Sequence, residues 1–424
     1  MKIYFDNAAT TKLHPQVLEA MLPYFTKNFG NPSSVHSYGN KARVAIETAR
    51  EIIADFINAD PSEIYFTSGG SEANNFCIKG IALTEYMESK RKSIVTTKIE
   101  HPSVLNTFRD LEDGKFQVCY LKTDKNFNLN YRLIKNFSTT VSLISIMHIN
   151  NETGNINDIG KIKSEIEENI FFHTDAVQSF GKIKIDVKEL NIDALSASAH
   201  KIYGPKGIGF AYVKNGTPMQ PLILGGAQER NRRAGTENVA SIIGFAEAVK
   251  LAKKKMEENY KTVLNIKNYF IEKLNKKISG ISFNHPINQS LNQSANQSII
   301  HSSNQSSVTS SPYILNFTFS PKYFDVDKEA MLMFLDINGI AASGGSACSS
   351  GTVKPSHVIL ASGKSADYAK GTLRFSFSPD NTFEEVDYTI SVLEKIAEKY
   401  RKKIVWLADW LTDWMIDFVK ILSI

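Results

Sequence analysis

Lys201 is the residue with the most chemical promise in this chain. It comes just after the apolar run Ala194-Leu195-Ser196-Ala197 and before Ile202-Tyr203-Gly204-Pro205-Lys206-Gly207. Strand ends of this kind deliver side chains to a cleft. A lysine amine held there becomes nucleophilic once a dry or cationic site lowers its pKa, and it then forms imines with carbonyl groups. Earlier in the chain Asp175 ends another apolar run, in Phe171-Phe172-His173-Thr174-Asp175-Ala176-Val177-Gln178. A carboxylate there can keep a pyridine nitrogen protonated as an electron sink, which a pyridoxal phosphate site requires. Gln178, one turn on, is placed to donate to the ring's phenolate oxygen. The segment Thr67-Ser68-Gly69-Gly70-Ser71-Glu72-Ala73-Asn74-Asn75 reads as strand, small residues, then helix. That order offers free N–H groups and a positive helix end to a dianion, with Gly70 and Ser71 nearest. The loop lacks both the Walker lysine and the dinucleotide-fold glycine spacing. His101, in Ile99-Glu100-His101-Pro102, follows a further apolar run, where an imidazole can stack on a ring and move protons.

Two more residues extend the set. Arg374, in Thr372-Leu373-Arg374-Phe375-Ser376, lies in a strand that returns to the cleft, and its planar fork matches an amino acid's α-carboxylate. Cys348 sits within Ser343-Gly344-Gly345-Ser346-Ala347-Cys348-Ser349-Ser350-Gly351, a loop with no side chain large enough to anchor it by packing. A thiol carried this way can reach a substrate and then turn outward to an acceptor. Plain structural readings stand beside these: a helix N-cap for Asp175, a hydrogen-bonding His101, a simple glycine turn at Gly69-Gly70, an inert thiol at Cys348. Against the last, free cysteines prefer burial. Cys77 and Cys119, in a helix and a strand, read as inert.

The ordered motifs resemble the cysteine desulfurases, class V, fold-type I pyridoxal phosphate enzymes that supply sulfur for iron–sulfur clusters. The resemblance rests on Asp6-Asn7-Ala8-Ala9-Thr10-Thr11, Phe29-Gly30-Asn31-Pro32-Ser33-Ser34, the glycine loop, Glu100-His101 and Met147-His148-Ile149-Asn150-Asn151-Glu152-Thr153-Gly154. It continues through the Asp175, Lys201, Gln228–Thr236 and Arg374 segments and covers nearly the whole chain. It implies a large domain with a mostly parallel seven-stranded sheet flanked by helices and a smaller α+β domain. It also implies a homodimer that turns L-cysteine into L-alanine and leaves a persulfide on Cys348. Lys201, Cys348 and His101 would be catalytic, with Lys201 and His101 sharing the proton transfers. Gly70, Ser71, His101, Asn151, Asp175, Gln178, Ser198, His200, Lys201 and Thr236 would hold pyridoxal phosphate, Thr236 by reaching the neighbouring subunit's cofactor. Arg374, Asn151 and Asn31 would hold the substrate. No resident metal set is implied, Cys348 being the candidate for transient ligation of an iron–sulfur cluster. Ala199 departs from the family's usual Ser-Gly-His-Lys by one methyl. The glycine-rich Cys348 loop resembles the long-loop group. A selenocysteine lyase, an aminotransferase and a non-catalytic scaffold for assembly partners remain as alternative readings. The sulfur acceptor, such as an iron–sulfur scaffold protein or a tRNA-thiolation relay, is left open.

Elements able to position these residues follow from patterning. Ala42, Ala45, Ile46, Ala49, Ile52, Ile53, Phe56 and Ile57 recur at helical spacing. Short apolar runs follow at 64–66, 93–96, 118–121, 141–146, 171–173 and 194–197, and several lack strict alternation, as strands covered on both faces do. Such alternation of elements predicts an α/β domain with a mostly parallel sheet. The division expected is 15–255 for the large domain, with 1–14 and 256–400 for the small one. Between 284 and 311 Asn, Gln and Ser dominate, with too few apolar groups to offset ordering entropy, so a surface insertion without a packed core is expected. In the tail, 401–424, Asp409, Asp413 and Asp417 share a polar stripe beside Trp406, Trp410, Trp414 and Phe418. The central aspartates argue against a membrane span. Packing on the protein itself or its twin, docking a partner, and lying on a membrane surface are the readings of this ridge.

Composition narrows the class. The 424 residues are 42% hydrophobic and 22% charged, which excludes general disorder. A net charge of +5 over this length is too dilute to argue for direct nucleic-acid binding. Three cysteines are too few for a disulfide framework, so a reducing, cytoplasmic setting is expected. The N-terminus passes at once into Asp6-Asn7-Ala8-Ala9, which reads as folded protein, so no signal peptide is expected.

Overall fold

Five of the six apolar runs become strands buried along most of their length, while the run at 118–121 becomes an edge strand with an alternating, largely exposed pattern. The computed structural model describes residues 1–130, 133–134, 140–285, 309–345 and 354–402. The expectations for Cys348, for most of the Asn/Gln/Ser stretch and for the Trp-rich tail therefore lie outside the described residues. In chain order the strands are β1 (Ile3–Tyr4), β2 (Ile64–Thr67), β3 (Ser93–Thr97), β4 (Gln117–Leu121), β5 (Val141–Ser145) and β6 (Phe171–Asp175). They continue as β7 (Ala194–Ser198), β8 (Gly209–Val213), β9 (Ile281–Phe283), β10 (Ile314–Phe319), β11 (Ile340–Ala341) and β12 (Thr372–Ser376). Seven form one sheet in the order β2-β8-β7-β6-β5-β3-β4. Its pairs are parallel except those of β8, which runs antiparallel to both β2 and β7. β8 is a strand beyond the six runs read from the sequence. β5, β7 and β8 are buried along their whole length.

Helices cover this sheet. Ser37–Phe56 buries Ala42, Ile46, Ala49 and Ile53, the expected stripe. The 39-residue helix Val239–Lys277 brings Phe245 against Phe180 and Phe210, with ring centroids 5.9 and 5.8 Å away. Burial of each such ring contributes roughly 1.5–3 kcal/mol. Farther along, the same helix supplies Val263, Ile266, Phe270 and Leu274 to a second core with Phe5, Phe317, Phe375 and Leu393. One rigid helix therefore ties the two cores together. The second core is backed by the antiparallel sheet β12-β10-β9 and the pair β1-β11. Phe317 and Phe375 stack across β10 and β12 at 5.7 Å. Capping follows sequence rules: Asp327 caps Lys328–Ile337, and Thr382 with Glu385 forms a capping box on Phe383–Tyr400. Among the described residues no helix is long and apolar enough to cross a membrane.

Candidate active site

The carboxyl ends of β6 and β7 and the start of the helix Gly70–Ser89 come together, as parallel-sheet topology favours: Gly70 lies against Val177 and Ser198, and Asn74 bonds Asp175. β7 ends at Ser198, and a single tight turn, Ala199–Lys201, carries the lysine outward. The turn is fastened to the N-terminal Asp-Asn-Ala-Ala-Thr-Thr segment. Thr11 N and Oγ1 both donate to His200 O (2.9 and 3.0 Å), and Tyr203 N donates to Thr11 Oγ1 (2.7 Å). Lys201 Nζ donates to the carbonyls of Ala8 and Ala9. Gln178 Nε2 donates to the same Ala8 carbonyl at 2.9 Å, and Lys182 Nζ donates to Gln178 Oε1 at 3.2 Å. The Asp6–Thr11 segment is also the strap to β12: Ala8 N donates to Ser376 Oγ at 2.8 Å, and Arg374 Nη2 donates to Asp6 Oδ1 at 2.9 Å.

Asp175 ends β6 and caps a turn, not a helix: its Oδ1 accepts from Val177 N at 2.9 Å. Its Oδ2 accepts from Asn74 Nδ2 at 2.7 Å, and the same amide nitrogen donates to Ser103 Oγ at 2.9 Å. Ser103 Oγ lies 2.7 Å from His101 Nδ1, which also accepts from Ser103 N as the N-cap of the helix Pro102–Asp113. The two groups expected to address a ring are thus joined through Asn74 and Ser103. Beneath His101, the carboxyl of Glu100 accepts from Thr97 Oγ1 (2.7 Å) and Met147 N (3.1 Å), and burial pushes its pKa up to about 8.

Arg374 is 4% exposed. Its Nη1 donates to Asn151 O at 2.8 Å, while its buried Nε has no hydrogen-bond partner among the described residues. Asn151 sits in a turn built by Asn150, whose Oδ1 accepts from Glu152 N and Thr153 N, both at 2.9 Å. Burial foremost, then Arg374, lowers Lys201 to about 8, with Asp6 and Asp175 pulling the other way. Burial and the neighbouring Lys201, Lys206 and Lys182 lower His200 to about 4. The neutral, nucleophilic form of the lysine amine therefore becomes the majority above about pH 8, well below the range of an ordinary lysine. A cavity of about 280 Å³ adjoins Lys201 between the two cores, with Asn7, Lys182, Tyr203, Tyr313 and Asp380 in its wall. Neither Asp175 nor His101 lines it, so it neighbours the ring site instead of forming it.

The residues fit a phosphate-bearing pyridine aldehyde. The helix Gly70–Ser89 begins at Gly69 without a side-chain cap, which leaves its first N–H groups for an anion. Gly69 has φ +152°, a conformation open to glycine, and a Cβ on Gly70 would fall 2.6 Å from Val177 Cγ2. A dianion at this helix start, a pyridinium at Asp175 and a carbonyl at Lys201 would satisfy three groups that converge from separate elements.

Not every expected residue joins this cluster. Asn31 is exposed, its Oδ1 accepting from Ser33 N at 2.9 Å in a turn before Ser37–Phe56. Thr236 is exposed as well. Its segment is held by two ion pairs: Arg50 with Glu229 (2.7 Å) and Arg233 with Glu72 (2.8 Å), the latter in the first turn of the phosphate-loop helix. Asn74, Ser103 and Lys182 are site neighbours not singled out from the sequence. Asn74 had a signal: it stands four residues after Gly70, on the same helical face.

Comparison with known proteins bears on this geometry. A model of the aminotransferase class-V family matches residues 3–389. The curated cysteine desulfurase IscS of Clostridium botulinum is 43% identical over 403 residues, covering 95% of this chain and 96% of its own. That of Dictyoglomus turgidum is 43% identical over 402 residues, covering 94% and 95%. Among solved structures, a NifS-like protein superposes with a TM-score of 0.82 at 33% identity, covering 94% of this chain and all of its own. SspA in complex with cysteine gives 0.72 at 36% identity, covering 90% and all of its own.

Proposed function

Given that this chain belongs to the aminotransferase class-V family and is a pyridoxal phosphate-dependent cysteine desulfurase, we propose that Lys201, Asp175, His101, Arg374 and Cys348 divide the work of moving sulfur from L-cysteine to a thiol of the enzyme. The observation that supports this reading is the nearness of Lys201 and Asp175 to one another and of Asp175 to the uncapped helix start. The cofactor, when bound, supplies an electron sink that weakens the bonds at the substrate's α- and β-carbons. Gly70, Ser71, Ser198 and His200 would hold its phosphate, Asp175 its ring nitrogen, and Gln178 with Asn151 its ring oxygen. Arg374, whose Nε has no hydrogen-bond partner among the described residues, would bind the substrate carboxylate. Lys201 Nζ would hold the cofactor's carbonyl group and, once freed by the substrate amine, would take the α-proton and return it. The Cys348 thiolate attacks the substrate sulfur. The carbon–sulfur bonding pair stays on the β-carbon, that carbon takes a proton, alanine leaves, and Cys348 carries the persulfide.

Thr236, placed on the surface, belongs in this reading to a second subunit's site, so the working form is a homodimer. Asn31 would join the site only as substrate binds. The persulfide passes to an acceptor protein such as an iron–sulfur scaffold, in the cytoplasm. Sulfide release from L-cysteine in the presence of a reductant, measured beside keto-acid turnover, tests the reading. Sulfide and alanine without transamination are expected, and transamination alone would refute it.

Two expectations follow from the site. Arg374→Lys keeps the charge but loses the fork, so KM for L-cysteine should rise ~10- to 100-fold, the worth of one charge-assisted hydrogen bond. Steady-state kinetics would show this with cofactor absorbance unchanged. The second concerns pH. With Lys201 lowered to about 8, the neutral amine fraction rises tenfold per pH unit below that value and levels off above it. The rate at which cofactor-free protein captures pyridoxal phosphate should follow this curve. A climb continuing towards the ordinary lysine range would contradict the lowered pKa.

A further inference from the structure

We propose that Asn74 and Ser103 are positioning residues that hold His101 as its Nε2–H tautomer, so that this histidine meets the cofactor as a hydrogen-bond donor and leaves proton abstraction to Lys201. The inference rests on the proposed placement of His101 against the cofactor ring. Its warrant is the polarity of one hydrogen-bond chain. A carboxylate only accepts, so Asp175 orients the Asn74 amide: Nδ2 donates to it at 2.7 Å. The reversed amide would turn Oδ1 onto the carboxylate, and Oδ1 is in fact buried without a hydrogen-bond partner among the described residues. The second hydrogen of the same nitrogen goes to Ser103 Oγ at 2.9 Å.

An amide nitrogen cannot accept, so the Ser103 hydroxyl must send its own hydrogen elsewhere. His101 Nδ1, at 2.7 Å, receives it. Ser103 N–H also points at Nδ1, at 3.1 Å, because His101 caps its helix. Two donors aimed at one ring nitrogen require its lone pair, and the proton of the ring therefore sits on Nε2. A proton placed on Nδ1 would oppose both donors. The charged groups facing the ring divide in the same sense: burial, Lys201 and His357 disfavour a second proton, Asp175 favours it, and the net direction is downward. His101 so held has no free lone pair with which to act as a base.

The test is two-dimensional nitrogen–proton NMR of holoenzyme labelled with 15N-histidine, with His101→Gln identifying the signals. Nε2 should appear protonated and Nδ1 unprotonated, with the Nε2–H form in at least ~10-fold excess, as two hydrogen bonds imply. Ser103→Ala should reduce that excess about fivefold, Asn74→Ala should do the same, and Ser103→Thr should restore it. Cofactor absorbance checks that each variant keeps its fold. A protonated Nδ1 in the wild type, or an unchanged excess in Ser103→Ala, would overturn the proposal. His101 signals that do not move when the cofactor is removed would instead refute its placement at the ring, a failure separate from a wrong tautomer.

Discussion

Lys201→Ala is expected to stop L-cysteine turnover, by at least about 10⁴-fold, because one amine supplies both the covalent tether and the proton carrier. Pyridoxal phosphate should still bind, since the uncapped start of Gly70–Ser89 and the carboxylate of Asp175 are untouched, but without the absorbance of a lysine-linked form. Lys201→Arg is the sharper variant. It would keep a positive charge beside the carbonyls of Ala8 and Ala9, yet a guanidinium does not lose its proton and cannot serve as nucleophile or base. Equal inactivity of the two variants is expected. Substantial activity in Lys201→Arg would mean that charge alone matters at this position. A small amine added to Lys201→Ala should recover part of the proton transfer, with recovery increasing as the neutral amine fraction increases.

Cys348→Ala is expected to be the second large loss, at least about 10³-fold in sulfide and alanine formation, the scale on which removal of a covalent nucleophile acts. The cofactor spectrum should be unchanged. Substrate binding should survive too, because the carboxylate clamp at Arg374 and the amine at Lys201 belong to other elements. The remaining thiols offer no substitute. Cys77 is fully buried, with burial pushing its pKa up to about 12, and Cys119 lies exposed on β4 at the sheet edge, its pKa also raised by burial of part of its side chain. Loss of cofactor binding in Cys348→Ala would assign that segment to folding.

Lys201, Asp175 and the Gly69-Gly70 loop were readable from sequence because each follows an apolar run, and in a parallel sheet the strand ends share one rim. Pairings made by the fold were not readable. Arg374 meets Asp6 across 368 positions, and Gln178 meets Ala8 across 170. Nothing in local periodicity marks such partners. Asn74 and Ser103 were missed for the same reason: their meeting depends on how the helices Gly70–Ser89 and Pro102–Asp113 pack, which neither helix's own sequence states. β8 was missed because Gly209 and Ala211 dilute its apolar run, although both suit a strand pressed against the phosphate loop. A Cβ at Gly209 would fall 2.7 Å from Gly69 Cα. Asn31 and Thr236 show the converse: both stand in recognisable motifs, and both lie exposed on the surface.

Mass spectrometry of the protein after brief exposure to L-cysteine tests the central claim, transfer of sulfur to Cys348, most directly. One added sulfur per chain, mapped to the peptide containing Cys348, removed by reductant and absent from Cys348→Ala, is the predicted result. Equal labelling of wild type and Cys348→Ala, or no adduct on a wild type that still forms alanine, would contradict it.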